Sequence, residues 1–321
     1  MSTRRQLLID WMEQGLIAPE KLHAALAVAG VFPSDAGWRR FLDRLLLWLG
    51  ALMIAAGAIF FFAYNWDDLG RFAKFALAQA LVMAALAAIW RTGIEHVAGK
   101  VALLAAALFV GALLALVGQT YQTGADTWEL FAVWAALILP WAVLGRLAAL
   151  WLLWLGIVNL AIVFYFSTFG ILFGLVFGTE RLLWLLFGVN TAALAVWELL
   201  ALRFAQERWP MRVLAVVSGG LVTVLAIFSI LEWQSRSNLG LIAWFGYFAA
   251  VYAVYRRYLR DIFMLAGGVL STIVVIATWF GDLMFDTVQA EPVFLLLALI
   301  IIGLSAAGGA WLRRVAAESE A

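Results

Sequence analysis

The chain has 321 residues, of which 66% are hydrophobic and only 13% are charged, and its mean hydropathy is +1.00. Soluble domains carry roughly 25% charged residues, so this composition excludes a water-soluble fold and indicates a membrane protein. The formal net charge of +1 gives no reason to expect a nucleic-acid partner. Because the chain has no cysteine and only two histidines, we expect no disulfide, no metal site and no cofactor.

The first 44 residues differ from the rest because they mix charged and apolar residues at helical spacing. Gly15 is typical of a helix end, and Pro19 is typical of the first turn of the next helix. We predict a cytoplasmic helical hairpin here, followed by an interfacial helix over Trp38–Arg44. We expect a partner protein, if the chain has one, to bind at residues 1–44 or at the acidic loops of the outer face.

Apolar runs of about the length that a helix needs to cross a bilayer fill the rest of the chain. They cover residues 45–64, 72–90, 100–118, 128–145, 147–166, 182–202, 211–231, 239–255, 262–280 and 293–312. The pattern predicts an all-α fold, a polytopic transmembrane helix bundle of about ten spans over residues 45–312, with a short cytoplasmic tail over 313–321. Little more than Gly145 and Arg146 separates the fourth and fifth runs, so a tight turn is expected there.

Two features make the middle of the chain less regular. Residues 147–179 are almost uninterruptedly apolar and would form a helix about 50 Å long. Either the run breaks near Ser167, Thr168 and Gly170 and leaves a re-entrant segment up to Gly178, or it forms one tilted helix, which is the simpler interpretation. Pro140 predicts a kink or an early end in the fourth span.

The distribution of basic residues predicts the orientation. With the N-terminus in the cytoplasm, 17 of the 21 lysines and arginines fall in cytoplasmic segments. The exceptions are Arg71, Lys74, Arg181 and Arg236. This asymmetry predicts that both termini are cytoplasmic, and an error of one span would destroy it.

Three motifs carry a resemblance to a known family. Ala63-Tyr64-Asn65-Trp66-Asp67 ends the first span, Trp11 to Ile17 lies in the predicted hairpin, and Gly118-Gln119-Thr120-Tyr121-Gln122 ends the third span. Over roughly residues 5–145 the chain resembles a family of predicted bacterial membrane proteins, domain of unknown function 2157. The resemblance implies a multi-pass protein of the bacterial inner membrane, and it implies no reaction, substrate or cofactor.

Polar and aromatic residues gather in two loops that the orientation places on the outer face. They are Asn65, Trp66, Asp67, Asp68, Gln119, Tyr121, Gln122, Asp126, Trp128 and Glu129. Carboxylates can transfer a proton or bind a cation, and amide and aromatic groups suit a sugar or a lipid headgroup. The alternative is that the tryptophans lie at the membrane interface and that Asp67 and Asp126 cap helices or turns.

Few polar residues lie inside the predicted spans. They are Gln79, Asn159, Asn190, Thr191, Glu198, Ser229, Ser271 and Thr272. An ionisable residue in a membrane helix is a functional candidate by default, but Glu198 lies about one turn from Arg203 and can pair with it or reach the headgroups. Asn159 and Asn190 are expected to hold helices together.

No catalytic motif is recognised, which disfavours an ATP-driven machine or an enzyme of the soluble type and leaves a membrane-embedded enzyme open. Three hypotheses follow. The favoured one is a membrane scaffold, sensor or assembly component. The second is a secondary transporter built from two inverted halves of five helices. The third is a membrane-embedded enzyme that acts at the outer face through Asp67, Asp68 or Asp126.

Overall fold

The computed structural model describes residues 4–30, 35–64, 70–121, 124–173, 179–204, 208–231, 238–285 and 290–320. Within these ranges the chain is almost entirely helical and contains no strand. The helices are α1 (Arg4–Glu13), α2 (Leu22–Val28), α3 (Asp35–Tyr64), α4 (Arg71–Thr92), α5 (Val97–Tyr121), α6 (Thr127–Gly145), α7 (Ala148–Phe173), α8 (Thr179–Phe204), α9 (Trp209–Leu231), α10 (Leu239–Arg257), α11 (Ile262–Phe285) and α12 (Ala290–Glu320).

The predicted fold class is confirmed. Among the described residues, nine helices, α4 to α12, are long and apolar enough to cross a membrane. The first predicted span, residues 45–64, lies in α3, so each predicted run falls in its own helix. Helices dominate because the hydrocarbon core offers no water to the backbone, and a helix satisfies its own N–H and C=O groups.

The N-terminal hairpin forms as the sequence predicts. Gly15 follows α1 with φ of +75°, a conformation that favours glycine, and its N–H donates to the carbonyl of Met12. Pro19 starts a short 3-10 turn, Pro19–Lys21, which leads into α2. Leu8 is buried, and α1 and α2 pack against each other.

The extents of three helices bear on expectations from the sequence. Helix α3 runs without a break from Asp35, so the Trp38–Arg44 stretch is the first part of the helix that carries the first span and not a separate element. Helix α7 continues past Ser167 and Thr168 to Phe173, which favours the single long helix; residues 174–178 lie outside the described part. Helix α6 continues past Pro140 to Gly145, so the proline does not end it early.

The chain divides into two compact units, residues 3–172 and residues 173–321. In the first unit α5 is central and contacts α3, α4 and α6. Tryptophan side chains link neighbouring helices of this unit. Nε1 of Trp134 on α6 donates to the carbonyl of Ala107 on α5 at 2.8 Å, and Nε1 of Trp154 on α7 donates to that of Ala135 on α6 at 3.0 Å. Gly111 admits the Trp134 ring, because a Cβ at this position would overlap it.

In the second unit α9 is central and contacts α8, α10 and α11. Its core is built from Val222, Ala226, Ile230, Trp244 and Val275. The backbones of α9 and α10 approach closely at Gly240, where a Cβ would overlap the Leu225 carbonyl. Such small-residue contacts bring membrane helices together where the hydrophobic effect gives no driving force.

Candidate functional site

Only part of the predicted outer-face cluster lies in the described chain. Residues Asn65, Trp66, Asp67, Asp68 and Gln122 fall outside the described ranges. Of the others, Gln119, Tyr121 and Asp126 are exposed, whereas Trp128 and Glu129 are partly buried. The formation of one pocket by the whole set remains a prediction.

The described aromatic members of this cluster have packing roles within the first unit. Tyr121 packs on Phe75 with ring centroids 5.8 Å apart, and Trp128 packs edge-on against Tyr165 at 5.2 Å. Asp126 is the N-cap residue of α6, and its side chain makes no capping hydrogen bond. The carbonyl of Asp126 instead accepts the N–H of Glu129 at 3.0 Å.

The amides predicted inside the spans bond within their own helices. Nδ2 of Asn159 donates to the carbonyl of Leu155 at 2.8 Å, and Nδ2 of Asn190 donates to that of Leu186 at 2.8 Å. Asn190 is fully buried, and Gln79 is exposed on α4. Both bonds bring the amide donor back to the preceding turn, which lowers the cost of a polar group in an apolar environment.

Hydroxyl groups link helices in the second unit. The hydroxyls of Thr223 on α9 and Ser271 on α11 lie 2.6 Å apart, and Nε1 of Trp244 on α10 donates to Oγ of Ser271 at 2.8 Å. These side chains are buried, so three helices share one polar contact. A second link joins Oγ of Ser218 to the Tyr247 hydroxyl at 2.9 Å.

The most elaborate polar arrangement is an ion cluster at one end of the second unit, formed by Glu198, Arg208, Arg212, Tyr255 and Asp261. Oε1 of Glu198, at the end of α8, accepts the Tyr255 hydroxyl at 2.6 Å and lies 3.5 Å from Nη2 of Arg208. The Glu198 side chain is only 13% exposed. Its Oε2 is buried and has no hydrogen-bond partner in the described part of the chain.

Asp261 is the most enclosed of the charged residues in the ion cluster, with a side chain 3% exposed. Its Oδ2 lies 3.1 Å from Nε of Arg208 and 3.3 Å from Nε of Arg212, and its Oδ1 also accepts Nη2 of Arg212 at 3.3 Å. Two arginines at the start of α9 thus meet one carboxylate between α10 and α11. Charge-assisted bonds of this kind offset the cost of burying the carboxylate.

The turn between α10 and α11 places Asp261 by backbone geometry. The N–H groups of Tyr258 and Leu259 both donate to the carbonyl of Val254, and Arg260 then adopts a left-handed φ of +43°. Asp261 follows and accepts the N–H of Phe263 on Oδ1 at 3.0 Å, as an N-cap residue does. Its negative charge also suits the positive end of the α11 dipole.

The ion cluster contains two acids and two arginines, so its charges balance. Its side-chain contacts join the adjoining ends of α8, α9, α10 and α11. Sequence reasoning identified only Glu198, and expected Arg203 as its partner; the side chain of Arg203 lies outside the described part, and the arginine in contact is Arg208. The sequence feature that could have indicated the ion cluster is Asp261, an acid that follows several arginines and directly precedes an apolar helix.

These helices define a multi-pass α-helical membrane protein. Residues 9–151 match the model of a family described as predicted membrane protein (DUF2157), which confirms the resemblance found in the N-terminal motifs. The match covers somewhat less than half of the chain and leaves out the second unit with its ion cluster. No curated protein and no solved structure matches the chain.

Proposed function

We propose that the protein is a non-catalytic scaffold or assembly component of the bacterial inner membrane, and that the α1–α2 hairpin binds a partner protein in the cytoplasm. The observation that carries this proposal is the apolar surface of the hairpin. Leu7 and Trp11 are 41% and 47% exposed and lie four residues apart, on one face of α1. Leu16, in the turn, is 70% exposed. Apolar surface outside the spans is typical of a contact site.

The cytoplasmic position of the hairpin rests on the charge distribution, with 17 of 21 basic residues on the side of the N-terminus. The same distribution supports a cytoplasmic C-terminus. A helix that offers apolar side chains at i and i+4 fits the groove of another protein, which is a common mode of recognition.

The use of polar groups in the second unit also supports a scaffold. Ser271 links three helices, and Asp261 with its two arginines joins the ends of α9 and α11. These groups are already engaged in contacts that hold the bundle together. In a transporter the polar side chains of the spans are expected to face a substrate pathway.

The arrangement of helices within each unit favours the scaffold over an inverted-repeat transporter. An inverted repeat would pair α5 with α10 and α4 with α9, so the central helix should hold the same place in both units. The central helix is the third span of the first unit, α5, and the second span of the other, α9. The outer-face enzyme stays a prediction, since Asp67 and Asp68 lie outside the described residues.

The test is site-specific photocrosslinking from the hairpin of the full chain in living cells. A photoreactive residue at Leu16 should give one protein adduct of defined mass, and the same residue at exposed, polar Gln14 serves as the control. The adduct should disappear when Trp11→Ser is added, while the protein remains in the membrane. Adducts to lipid alone, or equal adducts from Leu16 and Gln14, would contradict a protein-binding hairpin.

A further inference from the structure

The second unit contains an apolar groove between α10, α11 and α12. Its volume is about 360 Å³, within the range of roughly 300–1,000 Å³ that is common for ligand pockets. Val251, Leu265 and Leu304 line the groove, together with Gly268 and Gly308. The one hydroxyl that lines it on α11, that of Thr272, already donates to the carbonyl of Gly268 at 2.8 Å. The wall is therefore apolar in character.

A small polar cavity of about 90 Å³ adjoins this groove, since Leu265 lines both. Arg256, Arg260 and Glu318 line the polar cavity, which gives it a formal charge of +1. Arg256 forms an ion pair with Glu318. Arg260 is exposed and has no ion pair within the described part of the chain.

The neighbouring acids are not available to Arg260. Asp261, although next to it in sequence, is engaged by Arg208 and Arg212, and Glu198 is engaged by Tyr255 and Arg208. Arg260 adopts a left-handed φ of +43° in the turn between α10 and α11. A cation with no ion pair in the described part of the chain thus lines the polar cavity beside the apolar groove.

We infer that this groove and the polar cavity bind one phospholipid with an anionic headgroup. An acyl chain fills the apolar groove, and the phosphate lies against Arg260. Tyr252 and Trp311 line the groove and stack on each other at 6.1 Å, one turn from Arg256 and Val315, where aromatic residues at a membrane interface are expected. An apolar helix of a partner protein would fill the groove but would bring no anion to the arginine.

The test is native mass spectrometry of the purified full chain, titrated with phosphatidylglycerol or with phosphatidylcholine of the same acyl chains. We expect the anionic lipid to be retained more strongly, and Arg260→Gln to weaken its binding roughly fivefold. Arg257→Gln is the matched control, because Arg257 is exposed in the same turn but does not line the cavity. Arg260→Lys, which keeps the charge, should preserve most of the preference.

The groove is tested separately by Ala307→Phe, which places a ring where the chain would lie, with Ala306→Phe as its control. Both alanines are exposed on α12, but only Ala307 lines the groove. Ala307→Phe should weaken the binding of both lipids, and Ala306→Phe should leave it unchanged. Equal retention of the two lipids, equal loss in the variants and their controls, or unchanged binding in Ala307→Phe would overturn the inference. Gel filtration and thermal unfolding verify that each variant folds.

Discussion

The hydroxyl of Tyr255 donates a hydrogen bond of 2.6 Å to Oε1 of Glu198 and so joins the end of α10 to the end of α8. The two residues are 57 positions apart in the chain. The ring of Tyr255 is buried, and the guanidinium carbon of Arg208 lies 6.0 Å from its centre. One tyrosine therefore contacts both the acid and the arginine that pair at this end of the second unit.

Tyr255→Phe removes this hydroxyl and little else. Glu198 then keeps only Arg208 among these partners, at 3.5 Å. We expect a loss of about 1–2 kcal/mol in the free energy of unfolding, since the acceptor is charged and partly buried. Thermal unfolding in detergent measures it, with Tyr258→Phe as the control because Tyr258 is 80% exposed. Equal midpoints for the two variants would contradict a stabilising role for the bond.

Asp261→Asn removes a charge while keeping the shape and the capping ability of the side chain. Arg208 and Arg212 then lose their shared carboxylate, and we expect a destabilisation of about 1–3 kcal/mol, limited by the partial exposure of both arginines. Asp126→Asn is the matched control, because Asp126 is also an N-cap residue but is exposed and makes no capping bond. The destabilisation of the Asp261 variant should change little at high salt, since the Asp261 side chain is only 3% exposed. An Asp261 variant as stable as the control would show that the ion cluster does not clamp the helices.

The same substitution is expected to have opposite effects on stability at two glycines of α5. Gly111→Ala places a methyl group against the Trp134 ring, which is fixed by its bond to Ala107, and we expect a loss of about 1–3 kcal/mol. At Gly118 nothing lies within 4 Å of a new Cβ, so Gly118→Ala should be neutral or stabilise by up to about 1 kcal/mol. Thermal unfolding of both variants checks the contact between α5 and α6. A stabilised Gly111 variant would be inconsistent with the close packing.

Hydropathy predicted the helices because the bilayer leaves few alternatives for an apolar run of about 20 residues. Local rules were sufficient to predict the hairpin turn. Glycine favours the left-handed conformation found at Gly15, and the fixed φ of proline suits the start of the turn at Pro19. The same rules were less useful within apolar runs. Ser167 and Thr168 do not break α7, because a hydroxyl can return its hydrogen bond to the preceding turn, as Oγ of Ser167 does to the carbonyl of Phe164 at 2.8 Å.

The ion cluster was beyond sequence reasoning for a different reason. Arg208 and Asp261 are 53 residues apart, and their contact depends on how α9 packs beside the α10–α11 turn. Hydropathy places both residues near helix ends but does not determine which ends meet. The nearest arginine in sequence to Glu198 was therefore the expected partner, whereas helix packing brings Arg208 to it.

The proposed topology has an even number of spans and places both termini in the cytoplasm. Because the chain has no native cysteine, single cysteines can report the location of each segment in the full protein. The positions to compare are Leu16, Asp126 and Ala317, which are all exposed.

The decisive measurement is labelling of Leu16→Cys, Asp126→Cys and Ala317→Cys in intact spheroplasts with a membrane-impermeant maleimide, before and after permeabilisation. We expect Asp126→Cys to be labelled in intact spheroplasts, and Leu16→Cys and Ala317→Cys to be labelled only after permeabilisation. Labelling of Leu16→Cys from outside, or of Leu16→Cys and Ala317→Cys from opposite sides, would contradict the proposed topology.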